Sequence, residues 1–229
     1  MIFLGGSASL FNINSNMAEL EFTPDVPWIG VNYNNGFTGY DENGIIMRGT
    51  KNNPGKKVLL LNLSLFCIES LECSSDIFIK EYVSDTSGET FALTLRNFQR
   101  AFSGGYYSLK GAKIFWDHVA CYSYFGVVSD PLYRIQNSHK NSQYYLEYAK
   151  ILEKYSPDIV IVNGVHLTNH ILQDLDIVKI DYIKSPIFPN LQLSKFEVNG
   201  IMHIGTYHTA SHTLSIGDLN EMYQLLFKI

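Results

Sequence analysis

Polar residues that could take part in catalysis follow four short apolar runs of the sequence. They lie within Asn62–Phe66, Asp117–Tyr124, Asn163–Gly164 and Tyr207–His212. In open α/β sheets, ligands bind outside the carboxyl ends of the strands, so these four segments are the places where a site is expected. An imidazole at such a strand end can take a proton near neutral pH or donate to a developing anion. His208 is therefore the first candidate for catalysis.

Other chemistries have weaker support in the sequence. His166 and His170 are four residues apart, as metal ligands on a helix can be, but no HExxH motif and no third ligand accompany them. Ser64, Ser123 and Ser211 have no GxSxG elbow around them, which argues against a serine hydrolase. The segment FLGGS lacks the GxGxxG spacing of a dinucleotide site. We therefore predict neither a metal nor a cofactor.

Composition narrows the class of protein. The 229 residues are 46% hydrophobic, which is enough for a sizeable core. The net charge of −5 gives no broad basic field, so any contact with nucleic acid has to be local. The three cysteines form no CxxC motif, and we expect no disulfide framework and a reducing compartment. With neither a signal peptide nor a membrane span in view, the expected location is the cytoplasm.

Alternating strand and helix patterns predict the fold. We expect one domain over 1–229, with a three-layer α/β/α core over 57–229 around a mostly parallel sheet. Residues 1–55 are expected to form an irregular extension with a hairpin, in which 28–34 and 44–49 flank the turn GYDENG. Residues 57–62 and 158–162 read as neighbouring buried parallel strands.

The remaining elements follow from periodicity and capping signals. Helices are predicted at 74–84 and 86–102, a strand at 112–126, and a helix–strand–helix unit at 141–172. Asn199-Gly200 predicts a tight hairpin, and Asp218 is the expected N-cap of the last helix.

The order of the strand ends resembles the uracil-DNA glycosylase superfamily, in its bacterial glycosylase-like branch. The matching segments are KVLLLNLSLFC, FWDHVACYSYFG, YSPDIVIVNG and IGTYHTASHTLS, which together cover about residues 57–216. In that branch a first strand ends in a polar catalytic loop, an FWxxxAFYNY-like strand and a PD-containing strand follow, and an HPS-like motif closes the site. The resemblance implies DNA as the partner and no cofactor.

The resemblance also implies roles for particular residues. Asn62 would orient the attacking water, and His208 would stabilise charge on the departing base. The expected contacts to a flipped base come from the strand-end residues Ser64, Phe66, Asp117, Tyr122, Ser123, Asn163 and Ser211. Phe66 or Tyr122 would stack on that base.

This chain departs from the resembled pattern at four positions. Leu63 and Leu65 stand where the first loop has an acidic residue and a histidine. Ser123 replaces the asparagine that reads the base edge, and Thr209 replaces the proline of the closing motif. Both an active glycosylase and a binding module that has lost catalysis therefore remain open.

Two further alternatives remain at this stage. The segment GVNYN resembles the GxNP-type loop of mismatch-specific members, which would make Asn32 the water-activating residue. The segment MIFLGGS instead suggests a transferase acting on free nucleosides. A non-catalytic module could also take a protein as its partner.

Overall fold

A computed structural model describes residues 23–66, 73–84, 90–104, 108–128, 142–185, 192–209 and 214–227. Within these ranges the strands are β1 Trp28–Ile29, β2 Phe37–Tyr40, β3 Ile46–Arg48, β4 Val58–Asn62, β5 Leu65–Phe66, β6 Val119–Ser123, β7 Val127–Val128, β8 Ile159–Asn163, β9 Asp181–Lys184, β10 Gln192–Val198 and β11 Ile201–Thr206. The helices are α1 Ser75–Val83, α2 Thr90–Phe102, α3 Leu109–Trp116, α4 Ser142–Tyr155, α5 Val165–Asp174 and α6 Ile216–Leu226.

A seven-stranded sheet forms the centre of the molecule. Its strand order is β1-β6-β4-β8-β11-β10-β9. The four central strands β6, β4, β8 and β11 run parallel, and the outer pairs are antiparallel. Leu60 of β4 lies beside Ile161 of β8, which confirms the predicted neighbouring parallel strands. The chain is thus an α/β protein with a mostly parallel central sheet.

Helices cover both faces of this sheet. Because side chains alternate along a strand, Val58 and Leu60 point to one face while Leu59 and Leu61 point to the other. The first face packs against α1, α2, α3 and α6, and the second against α4 and α5. These four apolar side chains of β4 are at most 1% exposed, and burying one of them stabilises the fold by about 1.5–3 kcal/mol.

The strand predicted at 112–126 is wrong over its first half. Residues 109–116 form helix α3, whose N-cap Ser108 accepts a hydrogen bond from the backbone N–H of Gly111. Ala112, Phe115 and Trp116 are buried from this helix, so the aromatic content that favoured a strand reflects burial instead. Strand β6 begins only after the turn at Asp117.

Some of the other predicted elements are confirmed, and others have different bounds or partners in the structure. The helix–strand–helix unit is α4, β8 and α5, and Asn199 and Gly200 join β10 to β11 with φ of 52° and 76°. The N-terminal hairpin pairs β2 with β3, whereas Trp28–Ile29 joins the central sheet beside β6. The N-cap of α6 is Ser215, and Asp218 is the reciprocal partner in its capping box.

Two observations bear on the expected cellular environment. Cys73 is disulfide-bonded, which the cysteine spacing did not predict, while Cys121 is a free and fully buried thiol. Across the described segments, no helix combines the length and the apolar character that crossing a membrane requires.

Candidate functional site

The candidate site lies at the carboxyl edge of the central strands. From β4 the chain crosses to β6 on one side and then returns to β8 on the other side. The order therefore reverses between β4 and β8, and such a switch point opens a crevice where α/β proteins bind ligands. The last residues of these two strands are Asn62 and Asn163.

Four polar residues end the four parallel strands in register. Ser123 lies beside Asn62, and Thr206 lies beside Asn163. Val162 of β8 pairs with Leu61 of β4, so the next residues, Asn163 and Asn62, also lie side by side. The four strand-end residues therefore form a continuous line. By strand alternation their side chains share the face that carries Leu60. We call Ser123, Asn62, Asn163 and Thr206 the polar row; sequence reasoning predicted its first three members as site residues.

The polar row is hydrogen-bonded within itself. Asn163 Nδ2 donates to Asn62 Oδ1 at 2.9 Å, and Asn62 Nδ2 lies 3.3 Å from Cys121 Sγ. The backbone N–H of Thr209 donates to Asn163 Oδ1 at 3.1 Å. Asn62 is 4% exposed and Asn163 is 2% exposed. Both amides are therefore held in fixed orientations, with each carbonyl oxygen already accepting one hydrogen bond.

Thr209 connects the segment after β11 to β8 and α2 through hydrogen bonds. Besides its bond to Asn163, its carbonyl oxygen accepts from Asn97 Nδ2 of α2 at 3.0 Å, and its hydroxyl lies 3.4 Å from the Thr94 carbonyl. A proline at this position has no N–H and could not make the bond to Asn163. Threonine at this position therefore permits a hydrogen bond between the end of β8 and the segment after β11.

His208 lies at the same edge, against the end of β8. A Cβ placed on Gly164, whose φ is 111°, would come within 3.6 Å of the His208 Cβ. Desolvation by the surrounding protein lowers the pKa of His208 below its ordinary value. Near pH 7 the imidazole is therefore neutral, and it can offer one N–H to a developing anion.

Asp25 is the residue that sequence reasoning missed. Its carboxylate accepts hydrogen bonds from the backbone N–H of Ser75 at 2.7 Å, from the Ser75 hydroxyl at 2.5 Å and from the backbone N–H of Ser123 at 2.8 Å. It lies between the end of β6 and the start of α1, where the helix dipole favours an anion. A carboxyl group thus lies at this edge, and it comes from the segment before β1.

Burial changes the acidity of Asp25. The side chain is 5% exposed, and desolvation raises its pKa from 3.8 to about 6 despite the lowering effect of its hydrogen bonds. The Ser123 hydroxyl is near enough to lower that pKa, although it makes no hydrogen bond of acceptable geometry. A carboxyl with this pKa can exchange a proton near neutral pH, as a general base must. Its only sequence signal is its position between Pro24 and Pro27, just before β1.

Several predicted site residues lie elsewhere. Tyr122 points to the opposite face, where it stacks on Tyr148 with ring centroids 6.3 Å apart, because neighbours of Ser123 along a strand must face the other way. The predicted convergence of Tyr122 with Asn62 is therefore wrong. Asp117 caps the end of α3 before β6 begins, so it lies at the amino edge. Asn32 donates its backbone N–H to the Asp117 carbonyl, which places it there too.

Three remaining candidates flank the site or fall outside the description. Ser64 is half-buried in the short connection from β4 to β5. Phe66 ends β5, but its side chain is outside the described part of the chain, as is the whole of Ser211.

No protein-family model matches this chain, and a search of curated proteins finds no significant match. The site therefore has to be interpreted from its own chemistry. At one edge it combines a protonatable carboxyl group, two oriented amides and an imidazole donor.

Proposed function

We propose that this protein is a DNA glycosylase-like protein of the uracil-DNA glycosylase superfamily, with the corresponding fold. It recognises a flipped or modified base in DNA at the carboxyl edge and hydrolyses the N-glycosidic bond slowly. The single observation that carries the proposal is that Asp25, the polar row and His208 all lie at the carboxyl edge of the sheet. Strand ends of the resembled superfamily place their base-recognising residues at this edge.

The chemistry assigns each group a separate task. A water oxygen forms a bond to the sugar C1′ while the C1′–N bond breaks and its electron pair leaves with the base. Asp25, ionised above its pKa, takes a proton from that water, and the neutral His208 donates its N–H toward the anionic base. The amides of the row supply the donors and acceptors that read a base edge.

Burial limits the rate of this reaction. Asp25 is held by three hydrogen bonds, and Asn62 is engaged with both Asn163 and Cys121. Asp25 is 5% exposed and Asn62 is 4% exposed, so little of either group can contact water, and every ~1.4 kcal/mol added to the barrier slows the reaction about tenfold. We therefore expect slow action, and a modified base rather than plain uracil as the preferred substrate.

A second candidate function is base binding without hydrolysis. The observation that favours it is that the Asn62 side chain is hydrogen-bonded to Asn163 and Cys121, although Asn62 is the residue expected to orient water. Binding requires less of the site, because stacking alone contributes about 1–3 kcal/mol per base. In this form the protein would hold DNA, or a protein partner, with the same surface.

The test uses single- and double-stranded oligonucleotides that carry uracil or other modified bases, followed by alkaline cleavage of abasic sites. Wild type is compared with Asp25→Asn and His208→Ala, and with Asp181→Asn as a control, because Asp181 is an exposed carboxylate on β9. We expect slow strand scission on a modified base that both site variants abolish and Asp181→Asn leaves unchanged.

The other outcomes discriminate between the two candidates. Binding at low salt without scission, weakened by His208→Ala, supports the non-catalytic form. Rapid excision of plain uracil would contradict the inference that the buried hydrogen bonds slow the chemistry. No association with any of these oligonucleotides would refute both.

A further inference from the structure

A cavity lies at the amino edge of the sheet, away from the candidate site. It has a volume of about 620 Å³ and is bordered by the 3₁₀ turn after β1, by β3 with the loop that follows it, and by the residue before β6. Its lining residues are Asn32, Asn35, Ile46, Met47, Arg48, Gly49, Thr50, Lys51 and His118. We call it the amino-edge groove. Strand β6 separates it from Ser123 by about 15 Å at ~3.3 Å per residue.

The groove carries cationic and amide groups but no acidic side chain. Arg48 and Lys51 are both exposed, and no carboxylate among the described residues forms an ion pair with either. Asn35 Nδ2 lies 3.4 Å from Asn32 Oδ1, so the two amides are side by side. In a chain with a net charge of −5, these two cations make the surface of the groove locally positive.

His118 forms an ordered part of the wall. It is 6% exposed, its ring lies 5.9 Å from that of Phe37, and its Nδ1 is 2.9 Å from the Ile114 carbonyl oxygen. Since a carbonyl can only accept, Nδ1 carries a proton and Nε2 is left as the other polar atom of the ring. The imidazole is thus fixed in both orientation and tautomer.

The backbone around the groove is cross-linked by hydrogen bonds. Gly49 N–H donates to the Gly36 carbonyl at 2.8 Å, and Gly55 N–H donates to the Asn35 carbonyl at 2.7 Å. A Cβ on Gly49 would lie 1.8 Å from the Asn35 carbonyl oxygen, so only glycine permits this approach. A cavity held in this way is preformed, which reduces the ordering cost of binding.

We infer that the amino-edge groove binds a phosphate ester of nucleotide size. The guanidinium of Arg48 and the ammonium of Lys51 suit phosphate oxygens, and the apolar side chain of Ile46, on the same strand face as Arg48, can contact the attached organic group. A volume near 620 Å³ is within the usual range for a small-molecule pocket. The inference is independent of the proposed function, since the two sites share no residue.

Calorimetric titration of the full chain tests this site with adenosine monophosphate, inorganic phosphate, adenosine and a short single-stranded oligonucleotide. The test variant is Arg48→Ala/Lys51→Ala. The control is Lys179→Ala/Lys184→Ala, which removes the same charge from exposed positions in and beside β9, the terminal strand at the other side of the sheet. Circular dichroism establishes that both variants are folded.

We expect the monophosphate to bind more tightly than adenosine, and its affinity to fall at least ~tenfold in the test variant but not in the control. Binding of the oligonucleotide with the same loss would identify a nucleic-acid phosphate as the source of the ester, whereas binding of the monophosphate alone would identify a free nucleotide. If both double variants lost the same affinity for the monophosphate, the effect would come from net charge alone, and the inference would be overturned. Failure of every phosphate compound to bind wild type at millimolar concentration would also overturn it. A negative result here leaves base excision at the carboxyl edge unaffected, so the two proposals fail separately.

Discussion

The two edges of the central sheet use similar polar residues in opposite ways. At the carboxyl edge, Asn62 and Asn163 are nearly fully buried and bonded to each other. At the amino edge, Asn32 and Asn35 are half-buried beside an open groove with two exposed cations. An amide in the first environment is shielded from solvent and bonded within the protein, whereas an amide in the second is partly exposed to solvent. Residue type therefore does not predict how strongly an amide supports the fold, but burial and hydrogen bonding do.

The difference has an energetic basis. A buried polar group that loses its partner costs about 1–3 kcal/mol, whereas a solvent-exposed group exchanges its partner for water at little cost. Substitution of a buried amide at the carboxyl edge should therefore lower stability, in addition to any effect on function. The amino edge should respond mainly through ligand affinity.

The largest expected effect is a difference in stability between two Asn→Ala variants, one at each edge. Asn62→Ala leaves Asn163 Nδ2 and Cys121 Sγ without their partner in a buried site, and we expect a loss of about 2–5 kcal/mol in the free energy of unfolding. Asn32→Ala is the matched control and should cost less than ~0.5 kcal/mol. Urea denaturation measures both. Equal losses would remove the distinction between the edges.

The next largest effect is the pH dependence of the free energy of unfolding that Asp25 introduces. Its pKa is about 6 in the folded protein and 3.8 ordinarily, so the folded state binds the extra proton between these values. Stability from this group is therefore complete below pH ~4 and is lost as pH rises through ~6, by about 3 kcal/mol in total. Relative to Asp25→Asn, wild type should lose stability over that window and then level off.

The control for this prediction is Asp181→Asn, which removes an exposed carboxylate. Thermal or urea denaturation at several pH values between 4 and 8 gives the stability difference between each variant and wild type. A difference that does not vary with pH for Asp25→Asn would mean that this carboxyl has an ordinary pKa. Its assignment as a base poised near neutral pH would then be wrong.

A smaller effect is expected at Thr209. Thr209→Pro removes the N–H that donates to Asn163 Oδ1 and should cost about 1–3 kcal/mol, even though it restores the proline of the resembled motif. Thr209→Val keeps that N–H and loses only the long contact to the Thr94 carbonyl, so it should cost less than ~1 kcal/mol. Urea denaturation distinguishes them. If Thr209→Pro were instead stabilising, the hydrogen bond from Thr209 N–H to Asn163 would not contribute to stability.

The smallest effect is predicted at the amino edge. Arg48→Ala/Lys51→Ala changes exposed side chains without ion pairs in the described structure, so the free energy of unfolding should stay within about 0.5 kcal/mol of wild type. Thermal denaturation checks this result. A larger loss would mean that these cations support the fold, and any loss of ligand affinity in this variant would then need another explanation.

Much of the carboxyl edge could be predicted from the sequence. Buried runs ending in Asn62, Ser123 and Asn163 indicated parallel strands, and parallel strands bring their carboxyl ends to one edge. The error at Tyr122 was avoidable, because the period of two places it opposite its neighbour Ser123. The error at Asp117 arose from the boundary between α3 and β6, where burial made a helix resemble a strand.

Asp25 could not be found in this way. Its contact with Ser123 joins residues 98 positions apart, and it belongs to a segment without periodic pattern. Local propensity carries no information about such a contact, since it depends on how the N-terminal segment crosses the completed sheet. The amino-edge groove was missed for the same reason, because Arg48 and His118 meet only in the folded chain.

The central claim is that the carboxyl edge recognises a base in DNA. Hydrogen–deuterium exchange of Arg48→Ala/Lys51→Ala, with and without an oligonucleotide carrying a modified base, tests it without a contribution from the groove cations. We predict slower amide exchange at 163–164 and 206–209 on binding, and none in the same variant carrying His208→Ala. Protection confined to 46–51 and 117–118, or DNA binding with no change at the carboxyl edge, would contradict the claim.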